Sequence, residues 1–395
     1  MNAYFACDLG TTTVDLAIID KNNKLISERH FKNRQSLYGA DVISRIKSAG
    51  RSETLVAMRN MIKCDILSSL EEMLDAFDDE TEKKLSGGVI CGNTTMIALL
   101  AGFETESLGV YPFRTPFVRS FQRSVDELFG DLEDIILDGL LKKNYVNRNI
   151  SILLSGCASA FIGGDVLAGV LALSEEGRWS DERISLLIDL GTNGEIVLNS
   201  KGTMFATSAA CGPAFEGCVR RQGVYGATLL DAIALGRRSG RILDNGALGD
   251  MGTVLMSPRI KGTKEPSPCL DINGVRIDSE ILRAVLLAKA AIRAGIETLL
   301  SHAGISAEQV DSVYVAGGFG FYLNVETAIY LGLFPAEFAG KLQTVGNTSL
   351  AGARLLALKS SLINLLDKLC EEKVQVLQAA NDDHYQDLLL SFMRF

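Results

Sequence analysis

Two short runs carry the residue types that hold a phosphate chain. Asp8-Leu9-Gly10-Thr11-Thr12, followed by Thr13, recurs in the second half as Asp189-Leu190-Gly191-Thr192-Asn193, followed by Gly194 and Glu195. Each closes an apolar run and opens a β-prone one, so each predicts a hairpin tip. A tip glycine needs no Cβ clearance, and the backbone N–H groups around it form an anion nest. Threonine hydroxyls add donors for phosphate oxygens. An Asp at the strand end suits Mg²⁺ held through water, because that ion keeps most of its hydration shell. One D-x-G-T is a common accident, and its plain reading is a tight turn. Two copies in matching contexts predict a duplicated α/β domain whose paired tips clamp a triphosphate.

Other candidates fall around these loops. Gly92-Asn93-Thr94-Thr95 is echoed by Gly346-Asn347-Thr348-Ser349. Ala316-Gly317-Gly318-Phe319-Gly320 follows an apolar strand, and Gly317, Gly318 and Gly320 would let a flat ligand such as adenosine approach the backbone. Gly212 and Glu216 lie in a turn-like loop, where Glu216 either touches ribose or Mg²⁺ or is a plain turn carboxylate. Asp165 is the single charge within Ile150–Ser174. That stretch is long enough to span a bilayer, but its glycines and its carboxylate favour a buried strand and a packed helix. Asp41 and Arg45 have the spacing of a helix-surface pair.

These residues need elements to place them. The opening predicts a hairpin meander over residues 4–31, then helices over 39–49 and 55–77. Short strands are expected at 89–91 and 152–154, and 119–149 reads as a peripheral insertion. The polar stretch 175–183 marks a boundary between a lobe of residues 1–180 and a lobe of 181–395. Strands at 185–189, 195–199 and 203–209 repeat the meander. Asp278 is a plausible N-cap for an amphipathic helix over 279–302. Strands at 313–316 and 342–345 follow, and the last enters a helix that runs to about residue 365.

Composition narrows the class. The 395 residues are 47% hydrophobic and 22% charged, a globular balance, with a net charge of −9 that gives no general attraction for nucleic acid or anionic lipid. None of the eight cysteines forms a C-x-x-C, so no zinc ribbon or ferredoxin-type cluster loop is expected. Cys211 and Cys218 read as buried thiols. Met1 runs straight into a strand-like segment with no signal peptide, which predicts a cytoplasmic location. His30, His302 and His384 have no metal-site spacing.

The order of two phosphate loops, then an adenosine motif, resembles the superfamily of actin, sugar kinases, acetate kinase and seventy-kilodalton heat-shock chaperones. That resemblance implies ATP and Mg²⁺ in a cleft between two lobes, with Asp8 and Asp189 on the metal through water. It makes 155–173 and 347–358 the connecting helices, whose small residues at Gly163-Gly164 and Ala351-Gly352-Ala353 would cross at a hinge. Asp165 would orient the attacking water or the metal, and Asn347 would join the nucleotide contacts.

Narrower runs resemble reductive activators of corrinoid proteins. They are Y-G-A-D-V-I-S-R-I (38–46), G-N-T-T-M (92–96), L-G-V-Y-P-F (108–113), L-L-I-D-L-G-T-N-G-E-I (186–196), C-G-P-A-F-E-G (211–217), V-A-G-G-F-G (315–320), G-L-F-P (332–335) and V-Q-V-L-Q-A-A-N-D-D (374–383). The resemblance implies ATP-driven one-electron reduction of cob(II)alamin to cob(I)alamin on a corrinoid methyltransferase-system protein. Such activators carry an iron–sulfur domain; here no cluster loop is seen, so a separate ferredoxin-like, low-potential donor is expected, in a homodimeric protein. The alternatives are a metabolite kinase, a dehydratase-type activator sharing a [4Fe–4S] cluster through Cys211, and a nucleotide-dependent binding module.

Overall fold

A computed structural model of the chain describes residues 2–76, 84–132, 135–211, 226–249, 255–256, 268–379 and 382–395. The chain divides into two compact units, Met1–Ser180 with Asn347–Val376, and Asp181–Gly346 with Leu377–Phe395.

The first unit opens with strands β1 (Asn2–Leu9), β2 (Thr13–Asp20) and β3 (Leu25–Lys32), then helices α1 (Val42–Ala49) and α2 (Ser52–Asp75). Strand β4 (Lys84–Gly92) leads into α3 (Thr94–Ala101) and the short α4 (Glu106–Gly109). After β5 (Phe121–Ser124) come α5 (Val125–Phe129), α6 (Ile135–Lys142), β6 (Ser151–Leu154) and α7 (Gly164–Glu175). The sheet order is β3-β2-β1-β4-β6-β5. Strand β5 pairs antiparallel with β6, so residues 119–149 are not a wholly peripheral insertion: they add an edge strand. Helix α7 begins at Gly164, nine residues later than the sequence predicts. Among the described residues no helix is long and apolar enough to cross a membrane.

The second unit holds β7 (Ile184–Leu190), β8 (Gly194–Ser200), β9 (Thr203–Ala209) and helix α8 (Gly226–Arg238). Three short strands, β10 (Leu255–Met256), β11 (Pro268–Ile272) and β12 (Val275–Asp278), form a small separate sheet. Helix α9 (Ser279–His302) starts where Asp278 accepts the N–H of Ile281 at 2.9 Å, the N-cap its sequence predicts. Strand β13 (Ser312–Ala316), helices α10 (Gly317–Phe321) and α11 (Val325–Tyr330) and strand β14 (Leu342–Gly346) follow.

Strands β9-β8-β7-β13-β14 lie side by side in that order. Each unit therefore repeats one plan, an antiparallel meander whose first strand pairs on its other side with the first of two successive parallel strands. Helices α12 (Thr348–Leu358) and α13 (Ser361–Lys368) return to the first unit, and α14 (Asp383–Ser391) closes the second. Residues 347–376 thus depart from the predicted second lobe of 181–395. The reason is packing. A Cβ on Gly352 would stand 2.1 Å from the carbonyl oxygen of Ala168, so α12 lies with its backbone against α7.

Candidate functional site

The first site is built on the β1–β2 hairpin. Asp8 pairs with Asp15 and Leu9 with Val14, leaving Gly10, Thr11 and Thr12 at the tip. Gly10 is required there, because a Cβ would lie 2.7 Å from the carbonyl oxygen of Thr13. Thr11 is buried and Thr13 exposed. All three tip carbonyls are fastened from outside the hairpin. Asn33 donates its Nδ2–H to Gly10 O at 2.9 Å and its backbone N–H to Thr12 O at 2.9 Å. Arg45 donates its Nη2–H to Thr11 O at 2.5 Å.

Arg45 corrects the sequence reading. Asp41 caps α1 through a capping box with Ser44, while Arg45 is fully buried rather than on the helix surface. Its Nε–H goes to Gly39 O and an Nη1–H to the Met96 sulfur. An i, i+4 acid–base spacing cannot reveal which way a guanidinium turns.

Behind the tip, three carboxylates gather. Asp8 Oδ2 accepts from Asn347 Nδ2 at 2.8 Å and Asp8 Oδ1 from Ser349 Oγ at 2.8 Å. Asn347 Nδ2 also donates to Asp15 Oδ2, and His30 bonds Asp15 from its Nδ1. Asp8 keeps part of its surface accessible, yet its carboxyl is packed among protein atoms. Burial pushes it well above the usual carboxylate range, the charges of Asp15 and Asp165 add to this, and the bonds from Ser349 and Asn347 oppose it.

Asp165 sits in the first turn of α7, its Oδ1 accepting the N–H of Val166 at 2.9 Å. Burial raises it to about 6, against the pull of that N–H. A Cβ on Gly163 would meet Asp165 Oδ1 at 2.6 Å and Gly92 O at 2.8 Å, so the carboxylate lies beside the Gly92-Asn93 turn. The two echoed turns share one device. Asn93 caps α3 and Asn347 caps α12, each accepting a backbone N–H with its side chain. Asn347 is thus a cap that also holds two carboxylates.

In the second unit the β7–β8 hairpin pairs Asp189 with Glu195 and Leu190 with Gly194. That repeats the Asp8–Asp15 relation with another opposed pair of acids. This tip closes on itself, Gly191 N–H donating to Asn193 O at 3.1 Å. Thr192 is buried. Gly194 packs against Cys211, whose Sγ would lie 2.9 Å from a Cβ there.

The predicted adenosine turn reaches the same strand end. Gly317 has φ +88°, and a Cβ would stand 2.6 Å from Leu190 O and 2.7 Å from Asp189 Oδ1. Gly320 packs on Val315. Gly318 is exposed and a Cβ there meets nothing within 4 Å, so the fold itself places no demand for glycine at that position. Gly212, Glu216 and Cys218 lie outside the described residues.

The donor set fits a hydrated magnesium ion. Among the described residues no group of three or more His, Cys, Asp or Glu side chains could hold a metal directly. Each strand end, taken by itself, supplies hard oxygen atoms of the kind that suit Mg²⁺ bound through its own water. Sequence reading did not single out Asp15 or Asn33, took Arg45 as half of a helix-surface pair, and took Ser349 only as part of an echoed turn. Asp15 did carry a signal, since it repeats in position as Glu195 across the second hairpin.

Comparison with known proteins follows this geometry. The model of the RACo middle region matches residues 4–175, and the model of the C-terminal ASKHA domain of RACo matches 183–228 and 217–395. The corrinoid activation enzyme RamQ of Eubacterium limosum is 28% identical, over 89% of this chain and 64% of its own length. A [Co(II) methylated amine-specific corrinoid protein] reductase of Methanosarcina barkeri is 26% identical, over 96% and 73%. The solved structure of a reductive activator for a corrinoid, iron–sulfur protein superposes with TM-score 0.82 at 25% identity, covering 100% of this chain and 66% of that one. The chain therefore spans about two thirds of the length of these relatives.

Proposed function

Because this chain belongs to the RACo family of reductive activators of corrinoid proteins, we propose that it couples ATP binding and hydrolysis to reduction of cob(II)alamin to cob(I)alamin on a methyltransferase-system corrinoid protein. The observation that carries this reading is the duplicated hairpin with opposed acids, Asp8 and Asp15 in one unit, Asp189 and Glu195 in the other. Tips 10–13 and 191–194 bind phosphate, and Asp8 and Asp189 hold Mg²⁺ through water. When bound, that ion neutralises charge on the phosphates and favours the ionised form of the acids beside it. Asp165 orients the attacking water and takes its proton. Gly317, Gly318 and Gly320 receive the adenosine, with Gly212, Glu216 and Asn347 as further contacts.

Each cob(II)alamin reduced to cob(I)alamin needs one electron. In this reading it comes from a separate low-potential, ferredoxin-like donor, and ATP supplies the free energy. Seven described cysteines are free, and six of them are buried. Cys211 packs among core residues of the second unit, so this reading takes it as a buried thiol rather than a ligand to a shared [4Fe–4S] cluster. Anaerobic purification should yield no stoichiometric iron or labile sulfide, and size-exclusion chromatography a homodimer. A cytoplasmic location goes with the reading.

The test mixes the purified chain with MgATP, candidate corrinoid proteins and a low-potential reductant, and follows cob(I)alamin by absorbance. ATP-dependent cob(I)alamin is expected, and Asp8→Ala or Asp189→Ala should weaken turnover more than nucleotide binding. Rapid phosphorylation of a small metabolite without cob(I)alamin would decide for a kinase. ATP-dependent partner binding without turnover would decide for a binding module.

A further inference from the structure

We propose that Arg45 and Asn33 are the positioning residues of the first phosphate hairpin: by fastening the carbonyls of Gly10, Thr11 and Thr12 they aim the N–H groups of that tip at the phosphates of the nucleotide. The proposal rests on the nucleotide reading and deepens it. A trans peptide unit is planar, so its C=O and the next N–H point in opposite directions. Asn33 and Arg45 hold three successive carbonyls to the protein side. The N–H groups that follow them are therefore turned the other way, and three in succession make the concave surface of an anion nest. The two side chains also share the Met96 sulfur, at 3.2 Å from Arg45 Nη1 and 3.7 Å from Asn33 Nδ2. The G-N-T-T-M turn thereby braces both.

Arg45 contributes charge as well as direction. Its hydrogen-bond acceptors are two carbonyl oxygens and a sulfur, and the opposite charge that acts on it is that of Asp41, at the cap of the same helix. A fully buried guanidinium on neutral acceptors is expensive for folding alone, which makes it a candidate for a functional role.

The test compares MgATP with adenosine, which has no phosphate, by calorimetric titration of wild type, Arg45→Gln, Arg45→Lys and Asn33→Ser. Serine can still cap the following turn, so Asn33→Ser removes chiefly the bond to Gly10 O and stays readable if the Arg45→Gln protein fails to fold. We expect MgATP to bind about tenfold more weakly in Arg45→Gln, the effect of losing one bond from a charged donor. Adenosine affinity should stay within about twofold, and Arg45→Lys should recover part of the loss. Equal losses for both ligands, or unchanged MgATP binding in folded variants, would overturn the assignment while leaving the nucleotide reading intact. Wild-type protein that binds neither ligand would remove that reading itself.

Discussion

Asp8 and Asp15 face each other across the first hairpin and share one donor, Asn347 Nδ2, at 2.8 Å from each. Both amide hydrogens of Asn347 are thereby used, and its Oδ1 caps α12 by accepting the N–H of Leu350 at 2.8 Å. Two like charges opposite one another on neighbouring strands repel. The shared amide offsets that repulsion.

Asn347→Asp would set a third carboxylate against these two, with no hydrogen to donate. Folding should weaken by about 1–3 kcal/mol, the cost of leaving buried polar groups without partners. Mg²⁺ should recover part of that loss. Urea unfolding with and without Mg²⁺ measures both effects. Stability equal to wild type would mean that the bridge carries no energy.

Asp165 gives a pH signature. Its carboxyl is raised to about 6 by burial, above an ordinary value of about 4, so the folded state binds more protons between those limits. This contribution to stability is present below about pH 4 and lost as pH rises through about 6, and Asp8, also raised, acts in the same direction. A base must be ionised, and bound Mg²⁺ favours that form, so the rising limb of ATP turnover should lie below about pH 6. Asp165→Asn should slow hydrolysis, leave ATP affinity nearly intact and flatten the rising limb. The same limb in the variant would remove Asp165 from the mechanism.

Gly318 and Gly317 separate ligand demand from fold demand. Gly318→Ala meets open space and should leave stability within about 0.5 kcal/mol, while weakening both ATP and adenosine. Gly317→Ala meets a left-handed backbone and the carbonyl of Leu190, and should cost about 1–3 kcal/mol. Thermal unfolding paired with nucleotide titration reads both. Undiminished binding in Gly318→Ala would take the adenosine away from this turn.

Gly352→Val tests the crossing of α7 and α12. The new side chain would run into the carbonyl of Ala168, so we expect at least about 1–3 kcal/mol of destabilisation. Gly164→Val should do the same, because a Cβ there lies 2.3 Å from Ser155 Oγ and 2.4 Å from Gly156 O. A fully stable Gly352→Val protein would show that the helices part easily.

The hairpins were legible because a repeated D-L-G-T between apolar runs has few other physical solutions. Helix α9 was legible because twenty-four residues of helical periodicity follow a capping aspartate. Arg45 was not, since sequence spacing fixes the face of a short helix poorly and cannot show that a cation turns inward onto a carbonyl. The unit to which α12 belongs was also hidden. Its partner surfaces are on α7 and on strands far upstream, and chain proximity points instead to β14. Asn347 could be seen as a cap, but its second task depends on carboxylates more than three hundred residues away.

The discontinuity of the first unit has a consequence for synthesis. Residues 2–180 leave the ribosome before Asn347, Ser349 and Gly352 exist, so Asp8 has neither of its side-chain donors and α7 lacks its close neighbour until residues 347–376 arrive. A chain stopped after residue 180 would expose the apolar seat of α12 and carry an acidic pair without its shared amide. The first unit cannot be complete before residues 181–346 of the second have been translated.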